Sequence, residues 1–118
     1  MGIAVSAPWM HEGPFFSEDL LSEAVGRILA VGKPRCIVLF GSRARGDAGP
    51  ESDVDLLIVE DSTLPRYKRA IPYLRALTGV FPEKDVVVWT PEEVRAWEQV
   101  PNAFITTALR EGRTLYAR

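Results

Sequence analysis

Three short apolar segments constrain the fold of this chain more than any other feature of its sequence. They cover residues 36–40, 54–59 and 86–89 and are rich in β-branched and aromatic side chains, which favour strands. Because each segment is nearly apolar at both alternating positions, both faces of each strand must be covered, as in a sheet with helices on either side. We therefore predict an α/β (α+β) chain with a small β-sheet and flanking helices.

The chain has 118 residues, of which 47% are hydrophobic and 25% charged, and this composition is typical of one globular domain. Residues 1–16 show no hydrophobic period and carry Pro8, Gly13 and Pro14, so we expect an N-terminal arm there. A single domain over residues 17–118 is expected to follow it.

The balance of 14 basic against 16 acidic side chains argues against a general attraction to nucleic acid or to an anionic membrane. No apolar run approaches the roughly 18 residues of a membrane span and no secretory signal pattern is present, so we expect a cytoplasmic protein. Cys36, the single cysteine, is expected to pack in the core rather than to react. His11 stands alone and suits a surface position better than a metal site.

Helical patterns precede and separate these strands. Ser17 can cap a first helix, which Gly32 and Pro34 end. A second helix over residues 64–78 should cross the sheet, with a kink at Pro72. Its predicted core-facing residues are Tyr67, Ala70, Ile71, Leu74 and Leu77, and its predicted solvent-facing residues are Arg66, Lys68, Arg69 and Arg75.

The C-terminal part of the chain predicts two more helices and a strand. The segment 90–93 has the pattern of a capping box with proline at the first helical position, and Pro101 should end this helix. A last helix should reach Gly112, and residues 114–116 could add an edge strand. The apolar face of the last helix is predicted to carry Phe104, Ile105, Ala108 and Leu109.

Two carboxylates stand where the second apolar segment begins. Asp53 and Asp55 are two residues apart on an extended segment, so both side chains point to one face, about 6.5 to 7 Å apart along the backbone. Two carboxylates aimed at one place repel each other unless a cation or a proton intervenes. Mg²⁺ binds few protein carboxylates together with substrate phosphates, so this pair suits a nucleotide-bound metal.

The segment after the first strand suits phosphate. Gly41 has no side chain to keep a phosphate from the backbone. Ser42 adds a hydroxyl and, if a short helix starts there, N–H groups that face the anion. Arg43 and Arg45 are within reach of the same space and could contact a triphosphate. The pattern lacks the lysine of the common phosphate-binding loop.

A third carboxylate follows from topology. If Gly41 lies beside Asp55, the first two strands are antiparallel, and a crossover helix then delivers a third strand parallel to the second. Asp85 stands at the start of that third strand, so it could complete a two-cation site and help to deprotonate an attacking hydroxyl. Glu83 is the weaker candidate at this edge. The predicted sheet is therefore mixed.

Each of these signals has an ordinary structural explanation when it is taken alone. A pair of aspartates with one residue between them is common in turns, and a Gly-Ser pair is commonplace. Arg43 and Arg45 could equally be solvated loop charges. The combination of all these residues, in this order around three strands, favours a functional site.

The segments Gly41-Ser42-Arg43-Ala44-Arg45-Gly46 and Ser52-Asp53-Val54-Asp55-Leu56 resemble the signature of the minimal nucleotidyltransferases, within the DNA polymerase β-like nucleotidyltransferase superfamily. The similarity extends over residues 17–117, including the usual family ending at residues 109–116. It implies the polymerase β-like nucleotidyltransferase fold.

The resemblance also implies a set of ligands and partners. Asp53, Asp55 and Asp85 would bind two Mg²⁺ ions, with Mn²⁺ as an alternative, and Gly41 and Ser42 would hold ATP or another nucleoside triphosphate. Family members often form toxin–antitoxin pairs with a small helical HEPN protein, and some transfer AMP to a tyrosine of that partner. No membrane and no nucleic acid is implied.

Three functions remain open from the sequence. The first is transfer of a nucleoside monophosphate, AMP from ATP, to a hydroxyl of a protein partner, as the antitoxin of such a pair. The second is a non-catalytic module that binds nucleotide and partner, and the third is transfer to a small molecule. The intact carboxylates count against the second, and the absence of a second domain to enclose an acceptor counts against the third. The sequence leaves homo-oligomerisation, the preferred base and the acceptor open.

Overall fold

A four-stranded mixed sheet forms the centre of the computed structural model, which describes residues 16–118. In chain order the strands are β1 (Cys36–Phe40), β2 (Val54–Val59), β3 (Lys84–Trp89) and β4 (Arg113–Ala117). They lie side by side in the order β3-β2-β1-β4. Strand β1 pairs antiparallel with β2 and with β4, and β2 pairs parallel with β3. The predicted mixed sheet with flanking helices, and the edge strand, are confirmed.

The described part of the chain has six helices, one before the first strand and five between strands. The first two are α1 (Glu18–Val31) and the short α2 (Ser42–Arg45), and the crossover from β2 to β3 holds α3 (Arg66–Arg69) and α4 (Ile71–Ala76). Helices α5 (Pro91–Trp97) and α6 (Phe104–Glu111) lie between β3 and β4. None of the helices in residues 16–118 has both the length and the apolarity that crossing a bilayer requires.

Local sequence signals explain the helix starts. The Ser17 hydroxyl accepts a hydrogen bond from the Leu20 N–H at 3.1 Å and caps α1. At α5, the Thr90 hydroxyl accepts from the Glu93 N–H, and the Glu93 carboxylate accepts from the Thr90 N–H, so the predicted capping box is confirmed. Helix α5 ends at Trp97, however, before Pro101 is reached.

The two faces of the sheet carry separate apolar clusters. On one face, Leu21, Ala24 and Ile28 of α1 pack with alternate strand residues such as Leu39 and Leu56. On the other face, Val38, Leu57, Val59 and Trp89 pack with Ile105 and Ala108 of α6. Both strand faces are therefore buried over much of their length, which is why the strand segments are apolar at both alternating positions.

The core face predicted for the crossover was wrong at three of its five positions. The segment forms two short helices separated at Ala70, and the break precedes Pro72, which lies in the first turn of α4. Tyr67, Ile71 and Leu74 are exposed by 77%, 41% and 39%, and Tyr73 is buried instead. Leu77 is buried and Ala70 packs against the core, as predicted. The segment has two apolar faces, and the packing of Tyr73 and Leu77 in the cluster under α1 decides between them.

Arg69 was predicted to face solvent and is instead buried. Its guanidinium donates to the carbonyls of Leu64 at 2.9 Å and Val88 at 3.3 Å, and to the Glu93 carboxylate at 2.7 Å. These three acceptors satisfy a charge that would otherwise be costly to bury. The partner Glu93 lies on another helix, so the helical periodicity of the crossover could not predict this ion pair.

Three further predictions of burial differ from the structure. Cys36 is half-buried rather than fully in the core, and its burial raises the pKa of the thiol. Phe104 and Leu109 of α6 are exposed by 43% and 37%. Phe16, placed in the predicted arm, is buried against the Phe81 ring, with 6.1 Å between the ring centroids. His11 and the rest of the arm lie outside the described residues.

Candidate active site

The strand register brings the predicted site residues to one edge of the sheet. Phe40, the last residue of β1, is the pairing partner of Asp55, and Asp55 is in turn the pairing partner of Asp85 in β3. The antiparallel and parallel pairings on which the third carboxylate depended are therefore confirmed. Asp85 lies within β3, because this strand begins one residue earlier at Lys84.

The carboxylates lie on the sheet face that α6 partly covers. Side chains two residues apart in a strand share a face, so Asp55 shares a face with Leu57, and Asp85 with Val87 and Trp89. Residues of the opposite face belong to the cluster packed under α1. This arrangement leaves Asp53 and Asp85 exposed and Asp55 half-buried.

Asp55 is the electrostatic centre of the candidate site. Burial raises the pKa of its carboxyl, and the negative charges of Asp85 and Asp53 raise it further, while the positive charge of Arg45 lowers it. The three carboxylates are thus close enough for their charges to interact. A divalent cation, or the proton itself, would relieve their mutual repulsion.

Gly41 forms the wall of the site opposite this carboxylate. Its backbone has φ 74° and ψ −159°, a conformation that is essentially restricted to glycine. A Cβ atom built on Gly41 would collide with Oδ2 of Asp55 and lie 3.3 Å from its Cγ. The chain therefore requires glycine here both for its backbone conformation and for the close approach of the carboxylate.

The short helix α2 starts directly after Gly41. The N–H groups of Ala44 and Arg45 donate to the Gly41 carbonyl at 3.0 and 3.1 Å. Ser42 is the first residue of this helix and is half-buried beside the site. A short helix thus does start at Ser42, and Gly46, with φ 87°, ends it in the left-handed conformation that favours glycine.

Arg43 lies inside the loop rather than over the open edge. Its side chain is buried, and its guanidinium stacks on the Phe16 ring at 4.4 Å from the centroid. The same guanidinium donates to the carbonyls of Pro50 at 3.2 Å and Ser52 at 3.1 Å. In this structure Arg43 therefore holds the loop that leads into Asp53.

Arg45 is the exposed arginine of this segment. Its Nε lies 3.2 Å from Oδ2 of Asp47, and its Nη1 lies 3.6 Å from Oε1 of Glu111 at the end of α6. Its charge also lowers the pKa of Asp55, so it lies on the side of the site that the carboxylates occupy. Glu111 was missed in the sequence, because no local spacing links the end of α6 to α2.

Two shallow grooves open beside the carboxylates. One, of about 360 Å³, is lined by Gly41, Arg45 and Glu111 together with Phe104. The other, of about 410 Å³, lies over β3 and also includes Phe104. The Phe104 ring packs against Phe40, with centroids 5.2 Å apart, and against Trp89 at 5.9 Å. Aromatic surface therefore borders the site on one side.

The donor chemistry of this edge fits a hard divalent cation brought in with a nucleotide. Within residues 16–118, no three His, Cys, Asp or Glu side chains form a preassembled metal cluster. Mg²⁺ and Mn²⁺ commonly take one or two protein carboxylates and complete their shell with substrate phosphates and water. Asp53, Asp55 and Asp85 offer such oxygens beside the side-chain-free backbone of Gly41.

Comparison with known proteins identifies the family. The model of the nucleotidyltransferase domain family matches residues 20–110. The chain belongs to this family. The match spans β1, β2, β3 and α2, and so includes every site residue that the sequence predicted in this nucleotidyltransferase domain.

Solved structures share the fold of this nucleotidyltransferase domain. A chain of a toxin–antitoxin crystal structure with AMP-PNP is 18% identical, with a TM-score of 0.57 over 83% of this chain and 73% of that chain. A candidate nucleotidyltransferase from Sulfolobus solfataricus is 21% identical, with a TM-score of 0.61 over 100% of this chain and 93% of that chain. A search of the curated proteins gives no significant match.

Proposed function

We propose that this chain is a metal-dependent nucleotidyltransferase that transfers AMP from ATP to a hydroxyl of a partner protein, as the antitoxin of a HEPN toxin–antitoxin pair. The observation that carries the proposal is the contact of Gly41 with the Asp55 carboxylate, whose charge interacts with those of Asp53 and Asp85. The family match and the similarity to a toxin–antitoxin structure with AMP-PNP support it.

The transfer is a displacement at the α-phosphorus of the nucleotide. The oxygen of the acceptor hydroxyl forms a bond to this phosphorus, and the bond from phosphorus to the oxygen that bridges to the β-phosphate breaks, so pyrophosphate leaves. The hydroxyl proton passes to the Asp85 carboxylate. When bound, Mg²⁺ would withdraw charge from the phosphate oxygens, and Asp53, Asp55 and Asp85 are the residues that would hold it.

The chain contributes mainly by positioning. Gly41 lets the triphosphate approach the backbone, and the Ser42 hydroxyl donates to one of its oxygens. Arg45, which is exposed beside Asp55, neutralises phosphate charge. Arg43 acts as a positioning residue that holds the loop before Asp53, because its guanidinium already donates to two carbonyls of that loop.

The open face of the site favours an acceptor on another macromolecule. The grooves beside the carboxylates are shallow, and Phe104 and Tyr67 at their rims are exposed by 43% and 77%. A small acceptor is held best in a concave site that buries most of its surface, which these grooves do not offer. A docking protein would bring its own hydroxyl and exclude water from this face.

The experiment uses the purified chain with labelled ATP, MgCl₂ and the protein encoded by the neighbouring gene. We expect the intact mass of that protein to increase by one AMP, and no increase with Asp53→Asn or Asp55→Asn. Asp61→Asn is the matched control, since Asp61 is an exposed aspartate beyond the opposite end of β2, paired with Arg35 at 2.8 Å.

The alternatives give different results in the same experiment. A stable complex whose mass stays unchanged with several nucleotides and with both Mg²⁺ and Mn²⁺ would identify a non-catalytic binding module. Consumption of ATP with label on an added small hydroxyl compound, and none on protein, would identify a small-molecule transferase. Either result would contradict the proposed protein acceptor.

A further inference from the structure

An apolar stripe is exposed along the crossover between β2 and β3. Tyr67, Ile71 and Leu74 follow one another at helical spacing, and Leu64 precedes them at the start of the segment. Leu64 is exposed by 48%, Tyr67 by 77%, Ile71 by 41% and Leu74 by 39%. Ala70 keeps a helical backbone between α3 and α4, and its carbonyl accepts from the Leu74 N–H at 2.9 Å, so the stripe continues from one helix to the next.

The stripe is not needed for the internal core. The opposite side of the same crossover carries Arg69, Tyr73 and Leu77, which are buried. The segment is therefore apolar on two sides, and only one of these sides packs against the rest of the domain. Contiguous exposed apolar surface of this kind is typical of a protein interaction site.

The charged side chains of the crossover segment all have one sign. Residues 62–82 contain four basic side chains and no acidic one, in a chain whose net charge is −2. Arg69 is buried against Glu93, and Arg66 lies 3.4 Å from the same carboxylate and stacks on Trp89. Lys68 and Arg75 are exposed beside the stripe. A partner with acidic side chains would complement this surface.

We propose that this stripe is a docking surface for an acidic amphipathic helix of a partner protein. Apolar side chains of that helix, spaced three or four residues apart, would pack on Leu64, Tyr67, Ile71 and Leu74. Its flanking Asp or Glu side chains would face Lys68 and Arg75. A second copy of this chain is a poor occupant, because a two-fold dimer would bring identical basic side chains together.

The stripe continues into the groove over β3. Tyr67 lines the groove over β3 together with Val87, Trp89 and Phe104. Val87 follows Asp85 by two residues, about 6.5 to 7 Å along the strand. A helix bound to the stripe would therefore reach the groove that runs along β3, and an extension of that helix along the groove would bring an acceptor hydroxyl towards the carboxylates. This last point depends on the proposed function, whereas the binding itself does not.

The test uses three synthetic helical peptides and fluorescence anisotropy. The first carries a leucine stripe flanked by glutamates, the second has the glutamates replaced by lysines, and the third keeps the glutamates but has serines in place of the leucines. We expect the first peptide alone to bind. Ile71→Asp should weaken its binding by about tenfold or more, and Lys68→Glu by several-fold, with binding also falling as salt rises.

Leu29→Asp is the matched control, because Leu29 is also exposed by 39% and lies on α1. It points to the side of α1 opposite Arg27, and the Arg27 guanidinium donates to the carbonyl of Ala76 in α4, so Leu29 faces away from the stripe. Binding by Leu29→Asp should stay within about twofold of the parent, a margin typical of surface positions outside an energetic hot spot. Melting temperatures of all variants show whether each one folds.

The outcomes separate docking from catalysis. Asp53→Asn should bind the acidic peptide as the parent does, because Asp53 lies outside the stripe. If the parent protein binds the peptide but transfers no nucleotide, only the proposed function is contradicted. Absence of binding by the acidic peptide, or equal binding of the lysine and glutamate peptides, would overturn the docking proposal. Anionic vesicles and a single-stranded oligonucleotide are tested in the same way. If the protein binds one of them but not the peptide, and Ile71→Asp and Lys68→Glu abolish that binding, the surface recognises a membrane or a nucleic acid and the docking proposal is overturned.

Discussion

The backbone of Gly41 lies directly against the carboxylate of Asp55, so that a Cβ atom at this position would collide with Oδ2 of the aspartate. The end of β1 and the beginning of β2 are therefore in contact without an intervening side chain. This contact joins the segment that suits phosphate to the segment that suits a divalent cation. The first prediction tests its consequences.

Gly41→Ala should lower both stability and nucleotide affinity. The substitution forces a side chain into a left-handed backbone conformation and displaces Asp55, and we expect a loss of about 1–3 kcal/mol in the free energy of unfolding. Urea denaturation and calorimetry with ATP are the measurements. Gly26→Ala, in the middle of α1 with no atom within 4 Å of the new Cβ, should instead stabilise the protein by about 0.4–1 kcal/mol. Parental ATP affinity in Gly41→Ala would contradict the proposed phosphate site.

Asp53→Asn and Asp55→Asn should abolish transfer while the fold remains intact. Each variant removes one carboxylate from a group whose charges raise the pKa of Asp55, so stability should stay unchanged or rise slightly. We expect the rate to fall by at least about a hundredfold. Calorimetry with Mn²⁺ and ATP measures the loss of metal-dependent binding. Parental affinity in either variant would remove that residue from the site.

Arg43→Lys and Arg45→Gln should have different effects. Lysine cannot stack on Phe16 and bind two carbonyls at once, so Arg43→Lys should cost about 1–2 kcal/mol of stability. Arg45 is exposed, so Arg45→Gln should leave the melting temperature unchanged and weaken ATP binding. Thermal melts and ATP titrations of both variants are the measurements. If Arg45→Gln binds ATP as the parent does, Arg45 is a loop charge paired with Asp47 and Glu111.

Glu93→Gln should weaken the protein at neutral pH and reduce its sensitivity to acid. Hydrogen bonding to Arg69 lowers the pKa of Glu93 from 4.5 to about 2. A carboxyl whose pKa is lowered by folding adds stability above the pKa of the unfolded chain, and that stability is lost as the pH falls from about 5 towards 2. Because the Glu93 side chain is 27% exposed, we expect a cost at pH 7 of about 1–2 kcal/mol, less than for a fully buried pair.

Urea denaturation at pH 7 and pH 3 tests this prediction. The parent should lose more stability between the two values than Glu93→Gln does, because glutamine keeps the capping bond to Thr90 but has no charge to titrate. Glu92→Gln is the matched control, since Glu92 is exposed in the same helix turn. An equal acid loss in the parent and in Glu93→Gln would show that the pair with Arg69 contributes nothing to acid stability.

Much of this structure could be predicted from short local patterns: the alternation of side chains along a strand and the four-residue capping motif at a helix start. The apolar segments predicted β1 and β2 at their observed bounds, and Ser17 and Thr90 predicted the starts of α1 and α5. These signals are local, because a strand residue alternates between two faces and a cap bonds to a neighbour three residues away. The position of Asp85 beside the two other aspartates was also predicted, since few connections link such strands. The structure adds the register, in which Asp85 pairs with Asp55.

The sequence by itself thus determined the strands, the capped helix starts and the group of residues that meet at one sheet edge. The tertiary structure alone decided which side of the crossover is buried, because Tyr67 and Tyr73 are equally apolar choices until α1 is packed against one of them. It also decided the positions of Arg43 and Arg69, whose acceptors lie on other loops and strands. A long polar side chain is placed by whichever distant carbonyl or carboxylate satisfies it, and no local period in the sequence records that partner.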